Sequence, residues 1–125
     1  MSYYRVCQAA IAVGSMMLCL TAFGKEPVIE ARKAALYVGR SALVCGNLVE
    51  IKHLPNRHYL NLDKKYPNQN LTVLLWNKDY QLFEQRFGKI ENHLGSRLCA
   101  HGKINEYKDK LQINIANLQL LRLID

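Results

Sequence analysis

The sequence offers few of the residue arrangements that build catalytic or metal centres. Its four histidines, His53, His58, His93 and His101, have no HxH, HExxH or CxxC spacing around them, so a zinc site is not indicated. No GxSxG elbow presents a nucleophilic serine, and no glycine-rich loop could cradle a phosphate. The 10 acidic residues are scattered, with no pair set for general acid–base work and no nuclease-like cluster of Asp, Glu and Arg. The three prolines and seven glycines never gather into a linker, and no repeat or low-complexity tract appears. A non-enzymatic protein without a cofactor is therefore expected.

Acid is also scarce relative to base: 17 Lys+Arg against 10 Asp+Glu, a formal charge of +7. Met1 to Arg5 carries one positive charge, and Val6 to Gly24 is apolar apart from Gln8, Ser15 and Thr21. Ala22-Phe23-Gly24 puts small residues where an export peptidase reads, and Lys25-Glu26-Pro27 ends the run. Residues 1–24 read as a cleaved signal peptide and residues 25–125 as one domain, periplasmic or secreted. An uncleaved anchor is the alternative, but Gln8 and the small residues before Lys25 argue against it. Lipid attachment at Cys19 is disfavoured by the bulky Leu18 before it. The mature chain is expected to have no membrane span.

Removing Arg5 leaves 16 basic residues against 10 acidic ones, a formal charge of +6. That excess favours a polyanionic partner such as nucleic acid, acidic glycan or anionic lipid, although a solvated surface can also be basic. Cys7 and Cys19 leave with the signal peptide. Cys45 and Cys99 remain, an even number in an oxidising compartment. They either close a loop of about 55 residues or sit as two buried thiols on neighbouring strands.

Along the mature chain, Ala31, Ala34, Ala35 and Val38 repeat at helical spacing, so Pro27 to Val38 is predicted as a short helix stopped by Gly39. Ser41 to Leu54 reads as one long strand whose apolar phase changes at Gly46, which suggests a bulge or sharp coil there. Tyr59 to Asp63 alternates, Lys64 to Asn70 is a polar turn centred on Pro67 and Asn68, and Leu71 to Trp76 is a strand apolar on both faces. Asn77 to Leu94 reads as a helix with Tyr80, Phe83, Phe87, Ile90 and Leu94 in one stripe, weakened at Gly88 and ended at Gly95. Ser96 to Tyr107 and Leu111 to Ile115 are the last strands, joined by the turn Glu106 to Lys110, and Leu118 to Ile124 is an apolar extension.

The predicted fold is thus mainly β, five strands with a helix between the third and fourth and a short N-terminal helix. That is the layout of the OB-fold, a Greek-key barrel. Val44-Cys45-Gly46-x-Leu48, Tyr59-Leu60-Asn61-Leu62, Tyr66-Pro67-Asn68-Gln69, Thr72 to Trp76 and Leu98-Cys99-Ala100-x-Gly102-Lys103-Ile104 resemble the motifs of small exported bacterial OB-fold proteins, a group expected to bind nucleic acid.

The resemblance implies that the first and fourth strands are neighbours, with Cys45 and Cys99 both out of phase with the apolar sets and facing outward side by side. It therefore implies a Cys45–Cys99 disulfide. OB-folds take ligands across strands 2 and 3 and the loops at their ends. The candidates there are Arg57, His58, Tyr59, Asn61, Trp76, Tyr107, Lys108 and Lys110, with His53 and Asn56 in the loop and Gln112 and Asn114 as amide donors on strand 5. Rings of this kind stack on bases, and the cations track phosphates. The expected ligand is single-stranded nucleic acid or another polyanion. A protein or oligosaccharide of the cell envelope is the alternative. Tyr59 also reads as a cover for its hairpin, Trp76 as core, and the lysines as an ordinary turn surface.

Overall fold

The computed structural model of the chain describes residues 26–124. The expected signal peptide, residues 1–24, lies outside the described residues. Nine regular elements position the site: β1 (Val28–Glu30), β2 (Ser41–His53), β3 (Arg57–Leu62), β4 (Leu71–Trp76), the helix α1 (Asn77–Phe87), β5 (Arg97–Lys103), β6 (Asn105–Tyr107), β7 (Lys110–Asn114) and β8 (Leu121–Ile124). The strands form an eight-stranded sheet in the order β6-β7-β4-β3-β2-β5-β8, with β1 parallel to β2 off that path. The β4–β7 pair is parallel, and the remaining ladders are antiparallel.

The expected five-stranded Greek-key barrel is an open sheet of eight strands. Among the described residues no ladder joins β5 to β7. They meet through side chains instead: a Cβ on Gly102 would lie 2.8 Å from Ile113 Cγ2. Ile104, which follows β5, gives its backbone groups to the Gly39–Arg40 turn, with Gly39 N donating to Ile104 O at 2.7 Å and Ile104 N to Arg40 O at 2.9 Å. Those bonds stop β5 from running unbroken into β6.

The expected N-terminal helix is present but shorter and of the 3-10 kind, Ala31–Tyr37, with the strand β1 before it. Its Ala31 and Ala34 are buried, three residues apart, as one face of a 3-10 helix requires. With β1 counted, the helix α1 follows the fourth strand. α1 ends sooner than its apolar stripe suggests. Gly88, at φ 81°, donates its N–H to Glu84 O and turns the chain into a separate 3-10 turn, Ile90–His93. Phe83 and Ile90 are buried, whereas Phe87 and Leu94 are nearly half exposed.

The core lies on the inner face of β2–β5, closed by Phe83 and Ile90. Leu48, Leu60, Leu62, Leu71, Val73, Leu75 and Leu98 are wholly buried there, each such side chain contributing about 1.5–3 kcal/mol of transfer free energy. The bulge in β2 falls at Val49, not Gly46: the register with β3 jumps between Leu48 and Glu50. Gly46 is needed for space, because a Cβ there would sit 3.1 Å from those of Ala31 and Leu62 and 2.9 Å from Asp63 Oδ1.

Cys45 and Cys99 are directly opposed on β2 and β5, Cα atoms 4.0 Å apart, and form a disulfide. They are out of phase with the core, yet buried and not outward-exposed. The flanking strands put Glu30 and Arg122 into the same cross-strand row.

Candidate ligand-binding face

The bulge at Val49 decides which β2 residues reach the outer face. Leu48 pairs with Leu62 in the core, and after the extra residue Glu50 pairs with Asn61 and Lys52 with Tyr59. Continued through β4 and β7, the register gives three rows: Glu50, Asn61, Thr72 and Gln112; Lys52, Tyr59, Leu74 and Asn114; then Arg57 with Trp76.

A groove of about 220 Å³ runs over these rows and under the β6–β7 hairpin. Lys52, Tyr59, Asn61 and Thr72 line it from the sheet, Tyr66 and Gln69 from the β3–β4 turn, and Tyr107, Lys108, Lys110 and Gln112 from the hairpin. Lys108 and Asp109 both take positive φ, 50° and 65°, the geometry of a two-residue hairpin turn matched to strand twist. The Lys108 ammonium lies 5.3 Å from the Tyr107 ring centre, a cation–π distance.

A hydrogen-bond chain forms the floor. Asn61 Nδ2 donates to Glu50 Oε1 at 2.8 Å, Thr72 Oγ1 to Asn61 Oδ1 at 2.7 Å, and Gln69 Nε2 to Thr72 Oγ1 at 3.0 Å. Tyr66 N donates to the same Glu50 oxygen at 2.8 Å, which folds the turn back over the sheet. The Tyr66 backbone N–H, followed by the Asn61 amide, holds the Glu50 carboxyl below its usual range against the opposing effect of burial. Glu50 is thus an anchor for the turn that supplies Tyr66 and Gln69 to the groove.

Of the residues expected from the sequence, Tyr59, Asn61, Tyr107, Lys108 and Lys110 meet in the groove. Arg57 stands beside it, donating from Nε to Tyr59 Oη at 3.0 Å and from Nη1 to Asn56 Oδ1 at 2.9 Å. Trp76 shares the face, its Nε1 donating to Asn114 Oδ1 at 2.9 Å. His58 does not join them. It points to the opposite side of β3, is 7% exposed, and stacks on Tyr80 with ring centres 3.7 Å apart. Burial first, then the neighbouring His53, push its pKa below the ordinary histidine value, with the Asn77 hydrogen bond opposing them.

Lys52, Tyr66, Gln69 and Thr72 were not expected in the groove. Lys52 and Thr72 come into phase only through the Val49 bulge and the β3–β4 register. Tyr66 and Gln69 sit in a turn whose polarity was legible but whose direction was not.

No known protein family matches the sequence, and no curated protein matches it. Solved structures do. One from the S. pombe Stn1-Ten1 complex aligns with 67% of this chain at 19% identity and a TM-score of 0.50, and the chain spans 57% of that neighbour. Two OBody proteins, each bound to hen egg-white lysozyme, align with 72% of the chain at 12% and 10% identity and a TM-score of 0.50, over 83% and 86% of their own lengths. The domain is OB-fold-like. These likenesses establish the architecture of the OB-fold-like domain and no more. No helix among the described residues is long and apolar enough to cross a membrane.

Proposed function

We propose that the chain is a non-enzymatic, exported binding module whose groove takes single-stranded nucleic acid or another polyanion. One observation carries the reading: three tyrosines and three lysines, Tyr59, Tyr66, Tyr107, Lys52, Lys108 and Lys110, line a single groove on this face. Flat rings accept unstacked bases, and the lysines neutralise phosphates without reading sequence. The resemblance to exported bacterial OB-fold proteins and the charge of the chain agree with it. The disulfide suits an oxidising compartment, in keeping with residues 1–24 as a cleaved leader and residues 25–125 as the domain.

Titration of the mature protein with a fluorescein-labelled oligonucleotide at several salt concentrations tests this. Three phosphate contacts would give a slope of log K against log salt of about −2. Absence of binding at low salt, or an affinity indifferent to salt, would count against it. N-terminal sequencing of the exported protein tests the leader, with Lys25 expected first.

A protein or oligosaccharide guest is the second reading. It is favoured by the neutral floor of Asn61, Thr72 and Gln112, whose amide and hydroxyl groups suit uncharged polar ligands. The OBody proteins of similar fold are bound to hen egg-white lysozyme, which supports a protein guest as this alternative. Salt-independent capture of an envelope glycan or protein would favour it.

A further inference from the structure

His53 and His58 lie outside the groove, yet their hydrogen bonds dictate where each proton sits. Pro55 O can only accept, so Asn77 Nδ2 donates to it at 3.0 Å and Asn77 Oδ1 is left facing His58 Nε2 at 2.7 Å. His58 Nε2 therefore carries a hydrogen. The other nitrogen of neutral His58, Nδ1, is an acceptor, and it lies 2.7 Å from His53 Nδ1, which must donate. His53 Nε2 meets Glu91 Oε2 at 2.5 Å, and that bond holds the Glu91 carboxyl below its usual range. Each contact has one donor when His53 also presents a hydrogen on Nε2 to the Glu91 carboxylate. The free site for a second proton is His58 Nδ1. There two N–H groups would point at each other, and the bond would be lost to repulsion.

The titratable and charged groups around His58 are His53 from β2, Tyr80 and Glu84 from α1, and Glu91 from the 3-10 turn. Tyr80 covers one imidazole face and donates from Oη to Glu84 Oε2 at 2.9 Å. His58 bonds to His53 and Asn77 and to neither Glu84 nor Glu91, so among the described residues no carboxylate accepts from its ring.

The His53–His58 pair is the last rung of the β2–β3 ladder. Beyond it the Leu54–Asn56 loop is held by Leu54 N to Arg57 O at 2.8 Å and by Asn77 N to Asn56 O at 3.2 Å. Asn56 holds Arg57, and Arg57 holds Tyr59 at the groove. Loss of the rung is passed through this short chain to the ligand face.

We propose that His53 and His58 form an acid-sensitive latch: a second proton on the pair opens the end of the β2–β3 hairpin, displaces Arg57 and Tyr59, and weakens binding in the groove. The effect on ligand rests on the polyanion reading above. Its sign is diagnostic. Added positive charge alone tightens a polyanion as pH falls, whereas the latch loosens it. Burial keeps the latch shut at neutral pH and lets it open only below the ordinary histidine range.

The test measures affinity for a labelled oligothymidylate between about pH 7.5 and 5 at fixed ionic strength, beside imidazole and amide NMR. Wild-type affinity is expected to fall by up to about tenfold per pH unit once His58 titrates, the limit for one linked proton. His58→Gln is expected to show no such loss. Wild-type affinity that holds or rises through the His58 titration overturns the latch. So do Arg57 and Tyr59 amide signals that stay still. A ligand-free measurement separates the two proposals: the hydrogen-exchange protection of the Leu54 amide should drop with the same midpoint. Unchanged protection overturns the latch whether or not the oligonucleotide binds. Lost protection without binding at any pH supports the latch and sinks the polyanion reading.

Discussion

Gly46 and Asp63 approach so closely that a Cβ on Gly46 would lie 2.9 Å from Asp63 Oδ1. The same carboxylate accepts from Asn47 N at 2.9 Å and, through Oδ2, from Asn70 Nδ2 at 2.7 Å. Asp63 itself takes a φ of 73°. A glycine in β2 thus makes room for the residue that closes the β3–β4 turn. Gly46→Ala is expected to cost about 1–3 kcal/mol, as overpacked sites do. Urea unfolding would measure it, and because Ala31 and Leu62 also crowd the position, Gly46→Ala with Asp63→Ala should recover little.

Glu50 makes stability depend on acid. Its folded pKa lies below the ordinary glutamate value, so the folded state binds fewer protons than the unfolded chain there. The contribution is complete above about pH 4.5 and is lost as pH falls through the folded value. Glu50→Gln is expected to unfold at lower temperature at neutral pH, by about 1 kcal/mol, and to show a flatter decline of melting temperature between about pH 5 and 3. Parallel curves for the two proteins would contradict this.

Cys45 and Cys99 are 54 residues apart in sequence, and the bond between them restricts the unfolded chain. The chain-entropy estimate for such a loop is about 4 kcal/mol. Replacing both by alanine, or adding reductant, should move the denaturation midpoint down accordingly. A shift under about 1 kcal/mol would mean that the strands dock as well without the link.

Groove variants should separate stacking from charge. Tyr59→Ala is expected to lose about 1–3 kcal/mol of oligonucleotide affinity with little change in salt slope. Lys52→Ala should weaken binding and reduce the slope by about 0.7. Equal slopes in Lys52→Ala and wild type would remove Lys52 from the phosphate path. Circular dichroism would confirm that both variants keep their strands.

Much of the architecture was legible because local rules and the global fold agree. The alternation of Tyr59 to Leu62 and of Leu98 to Gly102, the turn chemistry from Lys64 to Asn70 and the apolar run Leu71 to Trp76 each specify a strand or its end without reference to neighbours. That Cys45 and Cys99 oppose each other was what the OB-fold resemblance implied, because it makes their strands neighbours. The groove was legible in part. Tyr59 and Asn61 follow from alternation, and Tyr107, Lys108 and Lys110 from a hairpin tip. His58 had the composition of a site residue but the wrong phase for its face, and alternation with Tyr59 already carried that signal.

What the chain determined by itself is local: where strands run, where they turn, and how basic its composition is. Only the tertiary structure decided that the sheet stays open, because Ile104 spends its backbone bonds on the Gly39–Arg40 turn instead of on a neighbouring strand. Only it placed Lys52 in the groove and His58 against Tyr80. A one-residue bulge at Val49 resets which side chains share a face, and a bulge is set by the pairing partner as much as by the residues that form it.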